Sequence, residues 1–72
     1  MAKRFYWVSS QNCLKKESTI ARAKDVLDKK LSDGEQGFIA AIDTVKGEPI
    51  NVWLAAYKKN GDELLLVSKI KD

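Results

Sequence analysis

The hydrophobic positions change period along this chain, and each change marks an element. Phe5-Tyr6-Trp7-Val8 is an aromatic and β-branched run of the kind strands favour. Gln11-Asn12 suits a turn, and the stretch Cys13 to Lys16 alternates weakly, which predicts a short return strand. The spacing then lengthens: Ile20, Ala23 or Lys24, Leu27 and Leu31 recur every three or four residues, one apolar stripe of an amphipathic helix. Ala21 and Val26 widen the stripe, while Arg22, Asp25, Asp28 and Lys29 fall on the other side. Asp25 and Lys29 form an i, i+4 pair worth ~0.3 kcal/mol. Ser18 or Thr19 supplies the N-cap oxygen. Ser32-Asp33-Gly34 ends the helix at about thirteen residues, with Gly34 suited to a left-handed C-cap.

From Gly37 the period becomes two. Phe38, Ala40 and Ile42 alternate with Ile39, Ala41 and Asp43, and Lys46-Gly47-Glu48-Pro49 turns the chain. Ile50 to Lys59 and Leu64 to Ile70 predict two further strands, joined at Asn60-Gly61, a strong type I′ hairpin signal. That loop sets Lys59 opposite Asp62 and Lys58 opposite Glu63, two favourable cross-strand pairs. Tyr57, Ala55 and Trp53 then share one face, and Ala56 and Leu54 the other. The expected fold is α+β: a single domain over residues 1–72 in the order β-(β)-α-β-β-β, with one amphipathic helix on one face of a four- to five-stranded antiparallel sheet.

One such helix covers one face only, yet the two long C-terminal strands are apolar on both. The uncovered face then exposes either a Trp53/Tyr57 surface or a Leu54/Leu65/Val67 surface. Contiguous exposed apolar area of this kind marks interaction sites, so a protein–protein contact or a homodimer through the open face is expected. The alternative is that long lysine side chains and the terminal segments cover it.

Composition narrows the chemistry. Seventy-two residues allow one small domain, and 44% hydrophobic with 32% charged residues describes a globular chain. With no His and the single Cys13, a zinc site or a Ser/Cys–His nucleophilic pair is excluded, as is an internal disulfide. Cys13 is most simply a small buried hydrophobe. The glycines are spaced as turns and form no phosphate loop. Asp43 interrupts an apolar alternation as a catalytic carboxylate does, but an edge-strand charge that deters aggregation explains it better. The chain is expected to be no enzyme, with no catalytic residues, no metal and no cofactor. The apolar run behind Met1-Ala2-Lys3-Arg4 is too short for a signal peptide and no stretch reaches a membrane span, so a cytosolic location is expected.

The net charge is +3, from 13 Lys and Arg against 10 Asp and Glu. The cations cluster as Lys3-Arg4, Lys15-Lys16, Lys29-Lys30 and Lys58-Lys59. Beside exposed Trp or Tyr these doublets could track phosphates and stack bases. Asp25, Asp28, Asp62 and Glu63 offset much of that field, and with only two Arg the surface is poor at bidentate recognition. A solvated lysine surface is the plainer reading, with weak, salt-sensitive, non-specific DNA contact as the other.

Ser18 to Lys24, then Gly37, Ile42-Asp43-Thr44-Val45 with Gly47, and Trp53-Leu54-Ala55-Ala56-Tyr57-Lys58-Lys59-Asn60-Gly61 resemble a family of small phage proteins, the ninth numbered family of type I-F anti-CRISPR proteins. The likeness covers about 50 of the 72 residues in ordinary helix and hairpin sequence. It implies a stoichiometric inhibitor in the bacterial host cytosol. Such a protein binds the backbone subunits of the RNA-guided surveillance complex, blocks target-DNA hybridisation and leaves non-specific DNA binding enhanced. Against the family pattern the chain carries an insertion around Glu48 to Val52 and an additional alanine between Leu54 and Tyr57, which calls for a bulge or an altered register. The role therefore carries over, and a contact map does not. The residues expected to meet the partner are Lys15, Lys16, Lys29, Lys30, Trp53, Tyr57, Lys58 and Lys59. A stand-alone nucleic-acid-binding protein and a small structural or oligomerisation module are the alternatives. A DNA mimic is excluded, since it would be strongly acidic.

Overall fold

A computed structural model describes residues 3–11 and 13–71. The elements run β1 (Lys3–Ser10), β2 (Cys13–Glu17), α1 (Ile20–Lys30), β3 (Gln36–Val45), β4 (Glu48–Asn60) and β5 (Glu63–Lys71). The strands form one antiparallel sheet in the order β2-β1-β3-β4-β5, with α1 packed against it, the α+β architecture expected above. Ser10 pairs with Cys13 where β1 turns into β2; the expected Gln11-Asn12 turn falls partly on Asn12, outside the described residues. β2 and β3 both pair with β1, so they run parallel and need a crossover. α1 supplies it.

Local chemistry fixes the helix. Thr19 is the N-cap, its hydroxyl accepting from the Arg22 N–H at 3.2 Å. The last turn closes with the Leu31 N–H donating to the Leu27 carbonyl at 3.0 Å, and Leu31 itself is extended. The helix is thus eleven residues, shorter than expected, and Gly34 lies beyond it in the loop instead of capping it. Ala23, Leu27 and Leu31 are buried and Ile20 and Val26 pack beside them, whereas Ala21 and Lys24 are exposed and do not widen the stripe.

These residues meet Val8 of β1, Ile39 of β3, and Ala55 and Tyr57 of β4. Small side chains let the helix close on the sheet: Ala23, Ala41 and Ala55 have no exposed surface. Gly37 takes this furthest, because a Cβ there would run into a Leu27 methyl and lie 3.1 Å from the Ser9 carbonyl oxygen. Cys13 is half-buried, not a core residue.

Two register details differ from expectation. The β4–β5 loop is Gly61-Asp62, with Asn60 opposite Glu63. Gly61 alone carries the positive φ, 62°, which fits a type II′ turn with glycine first. The expected Lys59–Asp62 and Lys58–Glu63 pairs therefore give way to Lys59 opposite Leu64 and Lys58 opposite Leu65. The register also shifts between Ala41 and Ile42, leaving Val52 as an extra residue of β4 inside the segment expected to be inserted. At the additional alanine the pairing with β3 is regular, Ala55 and Ala56 facing Ile39 and Phe38, and the altered register appears on the β5 side. A second shift, between Ala56 and Tyr57, places its extra residue at Val67 of β5.

Gly37→Ala is expected to destabilise the fold by about 1–3 kcal/mol, the usual cost of overpacking, because fully buried Leu27 has nowhere to retreat. Urea denaturation measures it. An unchanged midpoint would show that the helix does not depend on this close approach.

Candidate interaction surface

An eleven-residue helix is about 16 Å long at 1.5 Å per residue, and the molecule is 41 Å in its longest dimension. One face of the sheet and the far end of the β3–β4 hairpin therefore lie beyond its cover. Strand register identifies the residues of the open face. Trp7 stands opposite Lys16 and Ala40, and Ser9 opposite Leu14 and Phe38. Phe38 and Ala40 in turn face Ala56 and Leu54, while Lys58 faces Leu65 and Leu54 faces Ile70. Opposed residues of an antiparallel pair share a face, so one apolar band crosses all five strands. Trp7 is 38% exposed, Phe38 41%, and Leu54 and Leu65 42%, so lysine stems do not cover it.

The band has an aromatic end and a cavity. Phe5 and Trp7 meet edge to face, ring centres 6.0 Å apart at 82°. Lys16 Nζ sits 4.3 Å over the Phe5 ring, a cation–π contact that holds the ammonium beside the aromatics. Toward the other edge, where Val52 bulges, a shallow cavity of about 270 Å³ opens among Ala40, Asn51, Trp53, Leu54 and Ile70. A band of aromatic and aliphatic side chains flanked by Lys16 and Lys58 can bury apolar area against a partner while pairing with its acidic or phosphate groups.

Of the eight residues expected to meet a partner, the structure sets Lys16 and Lys58 on this face, and Trp53 reaches it only at the wall of the cavity. Successive residues of a strand point to opposite sides, so the doublets Lys15-Lys16 and Lys58-Lys59 are split. Lys15, opposite Val8 on the helix side, pairs with Glu17 at 3.3 Å. Lys29 pairs with Asp25 at 3.0 Å, as the i, i+4 spacing predicts, and Lys30 is exposed in the last helical turn. Lys59 lies on the helix side with only 14% of its side chain exposed. Its ammonium donates to the Asp28 carbonyl at 3.0 Å and also pairs with the Asp28 carboxylate, so it satisfies a free carbonyl at the negative end of α1.

Trp53 and Tyr57 also turn to the helix side, which corrects the expectation that they are contact residues. Tyr57 is 7% exposed beneath α1, and burial pushes its phenol upward in pKa. Trp53 is half-buried, 5.9 Å from the Tyr6 ring with Lys69 Nζ 4.6 Å above it. The exposed surface is the other of the two foreseen, through Leu54 and Leu65, with Phe5, Trp7 and Phe38 added.

Asp43 is no edge charge, because β3 is the central strand. Its carboxylate accepts from Arg4 Nε at 2.7 Å and Arg4 Nη2 at 3.1 Å, a fork across β1 and β3. The hydrogen bond and then the charge of Arg4 hold Asp43 below the usual 3.8, and the Ser32 N–H and hydroxyl hold Glu35 below 4.5. Among the described residues no group of three or more His, Cys, Asp or Glu could hold a metal ion, and no helix is long and apolar enough to cross a membrane. No family model, no curated protein and no solved structure matches the chain.

Lys59→Met leaves the half-buried Asp28 groups unpaired and is expected to cost about 1–3 kcal/mol, against about 0.5 kcal/mol or less for Lys58→Met. Equal midpoints in chemical denaturation would contradict the structural role of Lys59. Asp43 and Glu35 bind their protons less tightly folded than unfolded, so their contribution is present above pH ~4.5 and lost as pH falls through their folded values. In Arg4→Gln the Asp43 carboxyl should titrate at a higher pH by NMR. A titration unchanged from wild type would mean the fork does not form in solution.

Proposed function

We propose that this chain is a stoichiometric binding protein that docks through the open sheet face. Following the family resemblance, we take it to be a phage-encoded inhibitor of a CRISPR surveillance complex in the bacterial host cytosol. The observation that carries the docking reading is the exposed band through Trp7, Phe38, Leu54 and Leu65, flanked by Lys16 and Lys58. Monomers rarely leave contiguous apolar area of this sort in water without using it. Aromatic anchors are also the residues on which interface energy concentrates. In this reading the two lysines meet acidic groups on the backbone subunits, and block of target-DNA hybridisation follows from occupancy alone, with no catalytic step.

The same band favours a second reading. Exposed aromatics on an open sheet beside lysines form a stacking platform for single-stranded nucleic acid, with affinity that falls as salt rises. Titration of purified type I-F surveillance complex against target duplex, with and without the protein, separates the two. Inhibition saturating at a fixed ratio per complex is expected, and Trp7→Ala or Phe38→Ala should weaken it by at least about tenfold, the scale of a lost anchor. Lys58→Glu should weaken it too, while Lys29→Glu, on the helix side, should not. Tight binding to single-stranded DNA alone, with hybridisation by the complex undisturbed, would replace the first reading by the second.

A further inference from the structure

A different part of the molecule carries an inference independent of that reading: the outer edge of β5. The sheet ends on two free edges, and they are not alike. β2 has five residues, of which two are lysines, and short length and lysine both discourage edge pairing. β5 has nine residues, and its central run Leu64-Leu65-Leu66-Val67 carries no charge. Leu65 is 42% exposed, Leu66 55%, Val67 52% and Ile70 64%, so the strand presents apolar side chains with little cover from its own chain. Its unpaired N–H and C=O groups form a row that only another extended strand can satisfy fully.

Charge selects the occupant. β5 is polarised, with Asp62 and Glu63 at its start and Lys69 and Lys71 at its end. A second β5 laid antiparallel, with the two-fold axis near Val67, brings the acidic start of each strand to the basic end of the other. A parallel copy would set like charges together. We infer that two copies of this chain associate through antiparallel β5 edges, closing a ten-stranded sheet that continues the open faces of both. The two surfaces meet at Leu65 and Ile70, while the anchors Trp7 and Phe38 lie on β1 and β3, away from the paired edge.

Sedimentation equilibrium of the full chain over a range of concentrations tests this. The mass is expected to rise from 8.1 kDa toward twice that value. Lys71→Glu should weaken association at least tenfold, as should Glu63→Lys, and the double variant carrying both should recover most of it, because the exchange restores attraction across the two-fold. Both positions are exposed, and circular dichroism checks that the variants fold. Hydrogen exchange in the β5 amides should slow with concentration in wild type and not in Lys71→Glu. A mass of 8.1 kDa at every concentration overturns the inference. So does a dimer abolished by Trp7→Lys and indifferent to the β5 charges, which would place the contact on the open face.

Discussion

A single eleven-residue helix set against a sheet that is apolar on both sides is the constraint on which the rest depends. Burying Leu27 over Gly37 commits the helix to the face carrying Val8, Ile39 and Tyr57. That choice sends Trp7, Phe38 and Leu54 to water. Among the described residues there is no second helix to cover them. The exposed apolar band is therefore a consequence of how the core closes, not a separate addition to it.

Lys59 shows how the charged residues divide between structure and surface. Next to Lys58 in sequence, it points the other way, and it is spent on the carbonyl and carboxylate of Asp28. The loop after the helix is tied to the same hairpin: the Gly34 N–H donates to the Lys59 carbonyl at 2.8 Å, and the Gly61 N–H donates to Asp33 Oδ1 at 2.8 Å. One end of β4–β5 is thus anchored to the helix terminus. The opposite end of the sheet relies on the Arg4–Asp43 fork. Of the four doublets read from the sequence, the three on strands are split between the two faces, because a pleated strand cannot present neighbours together, and in the fourth, on α1, Lys29 is paired with Asp25.

The fold class, the helix and the strand order of the C-terminal half were legible because each rests on periodicity, which the backbone enforces locally. The face of the sheet taken by the helix was left open between two alternatives, although a signal existed. Gly37, Ile39 and Ala41 share one parity and Phe38, Ala40 and Ile42 the other, and a helix closes most readily over the smaller set. On β4 the parity of Trp53, Ala55 and Tyr57 follows from the same pairing, which places those aromatics inside. Three features needed three dimensions. Asp43 and Arg4 are 39 residues apart in sequence. Gly61 could open the hairpin loop as readily as close it, and the two choices differ by one residue in register. The bulges at Val52 and Val67 have no residue signature of their own.

The net charge of +3 takes on a different meaning once faces are assigned. On the helix side Lys15, Lys29 and Lys59 are matched by Glu17, Asp25 and Asp28, while Lys24 and Lys69 lie over the rings of Tyr57 and Trp53. Lys16 and Lys58 stand on the open face without an acidic partner among these ion pairs, Lys16 resting instead on the Phe5 ring. Lysines thus stand over aromatic rings on both sides of the sheet, and the total excess is small. Two lysines with an aromatic cluster attract an acidic surface weakly at long range and then depend on buried apolar area for affinity. Affinity held in that way should survive moderate salt, whereas a phosphate-tracking surface loses it steeply.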